Sequence, residues 1–489
     1  MSLIKKLAGE TVIYGLSHVL SRVINFAVMA PYLTRQFPKD STEYGIYSEV
    51  YGYSAVLLTL LLFRLDTALF RFGSKSTDIN RTLGTALLPM GAGLLLILLL
   101  SIPFAGNVAT YLGYSDAPHY VRWMVYILCF DALASMIYAK LRLESRPMRF
   151  LLFRLGSVLV NVLLIIIFYE SIVSSPTGQW LESSLGMVRK VDYVFLANLI
   201  TSALTLLAMG FEYLKVKLHY DPVLIKKMLW YAAPLVIVGV AGNINQTFAA
   251  PIQKQFLGSD AMANLADAGV YAAASKLAIL LSLFTTAFNY AAEPFFFKNV
   301  DRANATEVYG VVALAFTIVA CLAALGIIAY LDVLILMFPK SYHVGAPVVP
   351  YLLLAYVLLG IYYNVSIWYK LKDRTHIGAI ISVTGMAVTL GVSIMLLPRV
   401  GTIASAYAAV ACYSVMVLIC YFIGQRYFPV RYPVGRILAY IGVSALAAYG
   451  ILQLKEVMTP VYYYSMVTAV LIVLTGIAWL VDGRRVVKI

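Results

Sequence analysis

Apolar residues in this chain run together for about 17–25 positions at a time, and polar residues gather in short breaks between the runs. The pattern predicts fourteen transmembrane helices, near residues 10–33, 44–70, 83–107, 119–140, 149–170, 191–213, 227–250, 264–292, 307–330, 346–369, 376–397, 402–425, 434–453 and 460–481. Each run can cross a hydrocarbon core of ~30 Å at ~1.5 Å per helical residue. The third to sixth runs and the last five are cleanest; the second and eighth are long and interrupted by Tyr, Ala or Gly. The expected fold class is an all-α integral membrane protein with about fourteen transmembrane helices.

Charge in the breaks sets an orientation. With the N-terminus inside, 24 of the 37 Lys and Arg fall in inside segments, eight in outside loops and five within the runs. The bias alternates with every loop, as the positive-inside rule requires, and would not survive a wrong number of spans. Both termini are therefore expected on the cytoplasmic side. The same distribution accounts for a net charge of +14 as topological signal and anionic-lipid contact, which argues against nucleic-acid binding. Cys129, Cys321, Cys412 and Cys420 all lie inside runs, so no disulfide framework is expected. The first run lacks the short apolar stretch and small-residue cleavage site of a signal peptide, so its retention is expected.

No break exceeds about twenty residues, which leaves no room for a soluble catalytic domain. The most polar break, KVKLHYDPVLIKK from Lys215 to Lys227, follows the sixth run. Six is even, so the seventh run starts on the same side as the first, and a repeat of the two halves would be parallel. A weak repeat is visible. Ala30, Pro31, Gln36, Phe37, Gly45 and Tyr47 recur as Ala250, Pro251, Gln255, Phe256, Gly269 and Tyr271. The expected organisation is a six-helix lobe over residues 1–218, a second over 219–430, and two further helices with a tail over 431–489.

Polar residues inside the runs are the candidates for function. Tyr14, His18, Arg22 and Asn25 share one helical face, with Arg22 roughly 18 Å along the first run. A guanidinium at that depth stays charged and costs several kcal/mol facing lipid, so it turns to a wet cavity or to a partner on a neighbouring helix. In the second run, Arg64, Thr67 and Arg71 share one helical face, with Asp66 turned away. Arg64 is a candidate substrate cation or an ion-pair partner, and Arg71 an end anchor. Tyr44 and Tyr47 read as an aromatic belt at the outer interface. Asn243, Asn245, Gln246 and Thr247 follow Pro234, Gly239 and Gly242 in the seventh run, and suit interhelical hydrogen bonds or sugar hydroxyls. In the eighth, Ser275, Ser282, Thr286, Asn289 and Glu293 form a face with Lys276 at its edge. Asp131 is either the partner of Arg154 or a carboxylate in an ion-coupling path, and Glu293, just before Pro294, carries the same two readings.

Absent motifs narrow the class. There is no G-x-x-x-x-G-K-[ST], H-E-x-x-H or C-x-x-C, and no loop carries paired carboxylates. No nucleotide motor, metal or cofactor is expected, and transport is favoured over catalysis. Several intramembrane cations with few carboxylates describe a cavity that attracts anions.

The run LAGETVIYGLSHVLSRVINFAVMAPYLTRQFP…EYGIYSEVY, followed by FRLDTALFRF, resembles the polysaccharide-transporter (O-antigen flippase) family. That family shares a superfamily with multidrug and toxin extrusion transporters and lipid II flippases. Gly15, Ser21, Arg22, Pro31, Leu33, Thr34, Tyr44, Gly45, Tyr47, Ser48, Thr67, Ala68, Phe70, Arg71 and Phe72 carry the match, within about the first 75 residues. The resemblance implies a secondary transporter in a bacterial cytoplasmic membrane. It would flip an undecaprenyl-diphosphate-linked oligosaccharide by alternating access, with membrane lipids and polysaccharide polymerase machinery as partners. Arg22, Arg64 and Lys276 would then bind the diphosphate, with His18, Asn25, Asn243, Gln246 and Asn289 lining the cavity. A lipid II flippase and a cation-coupled drug exporter are the alternatives.

Overall fold

The computed structural model describes residues 19–37, 42–300, 304–372 and 374–483, and among them there is no strand. Twelve helices in this set are long and apolar enough to cross a membrane. They coincide with the third to fourteenth runs, so the protein is a multi-pass, all-helical membrane protein. The helices used below are α1 (residues 19–36), α2 (Glu43–Leu62), α3 (Leu65–Gly73), α4 (Ile79–Ser101), α5 (His119–Leu143), α6 (Pro147–Ile172), α7 (Val191–Ala208), α8 (Pro222–Thr247), α9 (Ala261–Asn299), α10 (Ala305–Ala329), α11 (Val349–Val365), α12 (Thr375–Val400), α13 (Ile403–Tyr427), α14 (Val434–Val457) and α15 (Pro460–Ala478).

Local sequence explains several boundaries. Asp78 accepts from the Arg81 N–H at 3.1 Å to cap α4, and Asp221 accepts from Leu224 at 2.9 Å to cap α8, where Pro222 occupies the first turn. Gly401, at φ 76°, ends α12 in a conformation that suits glycine. In α1 the turn at Asn25–Met29 widens to a π-helix just before Pro31, whose ring cannot accept a normal preceding turn.

The second run departs from the expected continuous helix. It breaks between α2 and α3 at Phe63 and Arg64, both left-handed with φ 46° and 52°. Each costs roughly 1–2 kcal/mol for a residue with a Cβ, so packing must hold the break open. Arg64 therefore does not share a helical face with Thr67 and Arg71. It stands at the N-cap of α3, where its carbonyl accepts from Thr67 and Ala68 at 3.1 Å each.

The described chain forms two compact units. One holds residues 19–29, 42–251 and 260–266, and the other residues 30–37, 252–259 and 267 onward. In the first unit α5 is the central helix, 67% buried over its apolar window, whereas α6 is 11% buried and presents Leu152, Leu159 and Leu163 outward. Lipid is the natural solvent for those side chains, and close packing rather than water exclusion joins the helices. The core of this unit joins Leu65, Leu69, Leu83, Met90, Ala132 and Met136, with Met228 and Ala232 of α8 packed into it. In the second unit α14 and α15 are the outer helices, each 11% buried, and all four cysteines of the chain are free and buried.

Candidate functional site

The first unit carries a seam between the broken second run and α8. Close approach marks it along its length. A Cβ on Gly52 would stand 2.8 Å from the Thr247 carbonyl oxygen. The Asn243 Nδ2 donates to the Ala55 carbonyl at 2.7 Å and to the Thr59 hydroxyl at 2.8 Å. Deeper, the Arg64 guanidinium lies against Gly239, and at the far end the Arg71 guanidinium sits 4.3 Å over the Tyr231 ring. Residue numbers rise along α2 and α3 as they fall along α8, so the helices run antiparallel. Contacts on both sides of the break hold it in its left-handed form.

Arg64 is half-buried, its guanidinium has no hydrogen bond or ion pair among the described residues, and Thr59 beside it is already committed. The structure thus brings Arg64 and Asn243 together through Thr59, with the Asn243 amide spent on α2. Arg22, also half-buried, has no hydrogen bond or ion pair among the described residues either. Three residues on, Asn25 sits exposed on the wide turn and hydrogen-bonds with the Tyr47 hydroxyl. His18 lies outside the described residues.

The tyrosines of the second run are not an outer belt. Tyr44 is buried at 1% exposure and stacks on Tyr47, with ring centroids 5.5 Å apart. Tyr47 tilts against Tyr51 at 4.7 Å, and the Tyr51 hydroxyl accepts from Asn198 of α7 at 2.6 Å. The stripe faces the bundle because α7 supplies both a ring, Phe195, and an amide to meet it. Nearby, the Asp131 carboxylate accepts from Ser202 at 2.8 Å, while the Arg154 guanidinium lies 5.7 Å from the Tyr138 ring. Asp131 has no ion pair among the described residues, and Arg154 acts on it only through space.

In the second unit, Lys276 is half-buried on the 39-residue α9 and also lacks a hydrogen bond or ion pair among the described residues. On the same helix the Ser275 hydroxyl donates to Ala272 and that of Thr286 to Ser282, so those hydroxyls are turned back on their own helix. Among the described residues the amides of Asn289 and of exposed Gln246 on α8 have no such bond. The Glu293 backbone belongs to α9, and its side chain lies outside the described residues.

Two charged centres escaped the sequence reading. Buried Glu212, past the end of α7, accepts from Lys140 at 3.0 Å, Arg149 at 2.8 Å and Arg146 at 3.3 Å, with Lys215 at 3.8 Å. Burial works against its charge, but Lys140, Lys215 and Arg146 outweigh that and hold the carboxyl below its ordinary value. At the opposite end of α7, fully buried Asp192 accepts from the Val188 and Arg189 N–H groups at 2.7 and 3.1 Å and from Tyr120 at 2.5 Å. The only sequence signal for either was an acidic residue at each end of the sixth apolar run.

Among the described residues no His, Cys, Asp and Glu group could hold a metal ion. The family described as "Polysaccharide biosynthesis protein" matches residues 7–300. Among solved structures, a lipid II flippase in an inward closed conformation is similar over 97% of this chain and 100% of its own, with 14% identity and a TM-score of 0.70. An inward-facing multidrug resistance transporter of the multidrug and toxin extrusion family is similar over 87% of this chain and 98% of its own, with 14% identity and a TM-score of 0.61. A Vibrio cholerae transporter of that family is similar over 87% and 97%, with 15% identity and a TM-score of 0.59. No curated protein matches the sequence significantly. The fold is the one these transporters share.

Proposed function

Because the chain belongs to the polysaccharide biosynthesis protein family, we propose that it flips an undecaprenyl-diphosphate-linked oligosaccharide across a bacterial cytoplasmic membrane by alternating access. The observation that carries this reading is that Lys276, in a helix long and apolar enough to cross a membrane, and Arg22 and Arg64, in the first and second apolar runs of the sequence, have no protein counter-ion among the described residues. A buried cation that serves structure has a partner, as Lys140 at the end of α5 does in Glu212. A cation left unpaired at depth supports an anionic ligand, and a diphosphate supplies oxygens for bidentate guanidinium contacts. Gln246 and Asn289 are the amides proposed to meet sugar hydroxyls, with Asn25 joining them from its bond with Tyr47. The chain has no nucleotide-binding loop, so Asp131 and Glu293 are proposed as ion-coupling groups.

Arg22→Ala tests the reading. It should abolish complementation of a deletion strain without lowering membrane abundance, and Arg22→Lys should retain part. Normal transport by Arg22→Ala would refute the cavity assignment, and loss of the folded protein would make Arg22 structural. The likeness to the lipid II flippase fold favours one second reading, flipping of the peptidoglycan precursor. Loss of surface polysaccharide with survival of the deletion strain supports the first reading, whereas lysis supports the second. Resistance to cationic dyes on overexpression would point to drug export instead.

A further inference from the structure

Gly239 of α8 lies against the Arg64 guanidinium. A Cβ built there would fall 2.7 Å from Arg64 Nη2, 2.8 Å from Nε and 2.8 Å from Thr59 Cγ2. All three are closer than packed carbon ever comes, so a methyl group would need the space the guanidinium fills. Gly242, one turn on, has nothing within 4 Å of the same point. A glycine inside a helix weakens it, and two left-handed residues at 63 and 64 strain the backbone that aims the side chain here. Both features converge on the placement of one guanidinium whose N–H donors have no acceptor among the described residues.

We infer that Gly239 is a positioning residue, the bare-backbone cradle that holds the Arg64 guanidinium in place for the phosphate oxygens of the lipid-linked substrate; this rests on the flippase reading given above. Thr59 forms the second wall. Its hydroxyl donates to the Ala55 carbonyl at 3.1 Å and accepts from Asn243 at 2.8 Å, so its methyl group is fixed toward the guanidinium. A methyl at 239 would meet side-chain atoms rather than backbone, and the long Arg64 side chain has the freedom to give way that hydrogen-bonded Thr59 lacks, so Gly239→Ala displaces Arg64. Pre-placing a charged donor spares the ordering cost of binding, and that advantage is lost when the donor swings free.

The test uses the full-length protein in membranes, with two readouts. Labelling by phenylglyoxal, an arginine-selective reagent, quantified on the Arg64 peptide, should rise several-fold in Gly239→Ala and stay constant on the Arg71 peptide. Gly242→Ala should leave both unchanged. Flipping should fall about tenfold to a hundredfold in Gly239→Ala, the range expected of a misplaced contact. In an Arg64→Ala background the same change should cost nothing further. Thr59→Ser, which keeps the hydroxyl and removes the methyl 2.8 Å from the new Cβ while the Arg64 contacts at 2.7 and 2.8 Å remain, should leave both readouts of Gly239→Ala displaced and serves if the single variant folds poorly. Unchanged Arg64 labelling in Gly239→Ala overturns the inference, as does an equal loss of flipping with and without Arg64. If labelling shifts while Arg64→Ala flips normally, the cradle stands and the diphosphate assignment of Arg64 fails.

Discussion

A charged side chain taken out of water needs either a partner or a task, and residues of both kinds occur in this chain. Lys140 has Glu212, whereas Arg64 has five N–H donors and no acceptor among the described residues. Arg64→Gly separates its backbone from its side chain. Glycine accepts the left-handed φ of 52° without the penalty of roughly 1–2 kcal/mol, although it also loosens the unfolded chain. Thermal stability should therefore stay within about 1 kcal/mol of the parent while flipping is lost. A melting curve beside a transport assay checks both halves. Asp131→Asn makes a parallel case, since an amide can still accept from Ser202 at the present 2.8 Å. If Asp131 couples transport to an ion, the variant should fold normally and transport should no longer respond to the proton or sodium gradient. An unaltered gradient dependence would remove Asp131 from the coupling path.

At the scale of elements, the turn between α5 and α6 and the segment after α7 are tied together by charge. Glu212 serves three basic side chains at 3.3 Å or less, and Lys140 is fully buried beside it. The second unit ties its corresponding loop differently. There Arg374 lies 4.2 Å over the Tyr427 ring and Lys372 lies 5.5 Å over Phe428. Such cation–π contacts contribute about 0.5–1 kcal/mol each at exposed sites, whereas stranding a buried charge costs about 3 kcal/mol or more. Glu212→Gln should therefore destabilise the protein far more than Tyr427→Leu, and thermal unfolding in detergent ranks them. The carboxyl lies below its ordinary value of 4.5, so its contribution is fully present above that pH and fades as pH falls through the lower, folded-state value. Melting temperature should drop on acidification below about pH 4.5 in the parent, with a shallower drop in Glu212→Gln.

For the whole molecule, the alternating loop charges predict which side each loop faces. Single cysteines at Lys340 or Lys455 should react with a membrane-impermeant thiol reagent in intact cells, and cysteines at Arg146 or Lys372 should react only after permeabilisation. The reverse pattern would invert the topology. A deletion strain should accumulate a lipid-linked oligosaccharide, and mass spectrometry of its lipid extract would identify the glycan. Accumulation of peptidoglycan precursor alone would transfer the assignment to the second reading.

The span pattern was legible because it is local. Hydropathy along twenty residues and the sign of the next loop need no knowledge of neighbours, and the twelve long helices fall where the third to fourteenth runs lie. The same reasoning located Arg22, Arg64 and Lys276 as charges in the wrong solvent. It did not find the break at Phe63 and Arg64, because neither glycine nor proline marks it and packing against α8 stabilises it. Nor could it turn Tyr44 inward, give Asp131 to Ser202, or show Glu212 binding cations from two loops. By itself the sequence determined the solvent of each helix, since transfer of a side chain into lipid depends on that side chain. Only the tertiary structure decided which charges are answered and which are left open, since a partner is a neighbour in space and chain order does not record it.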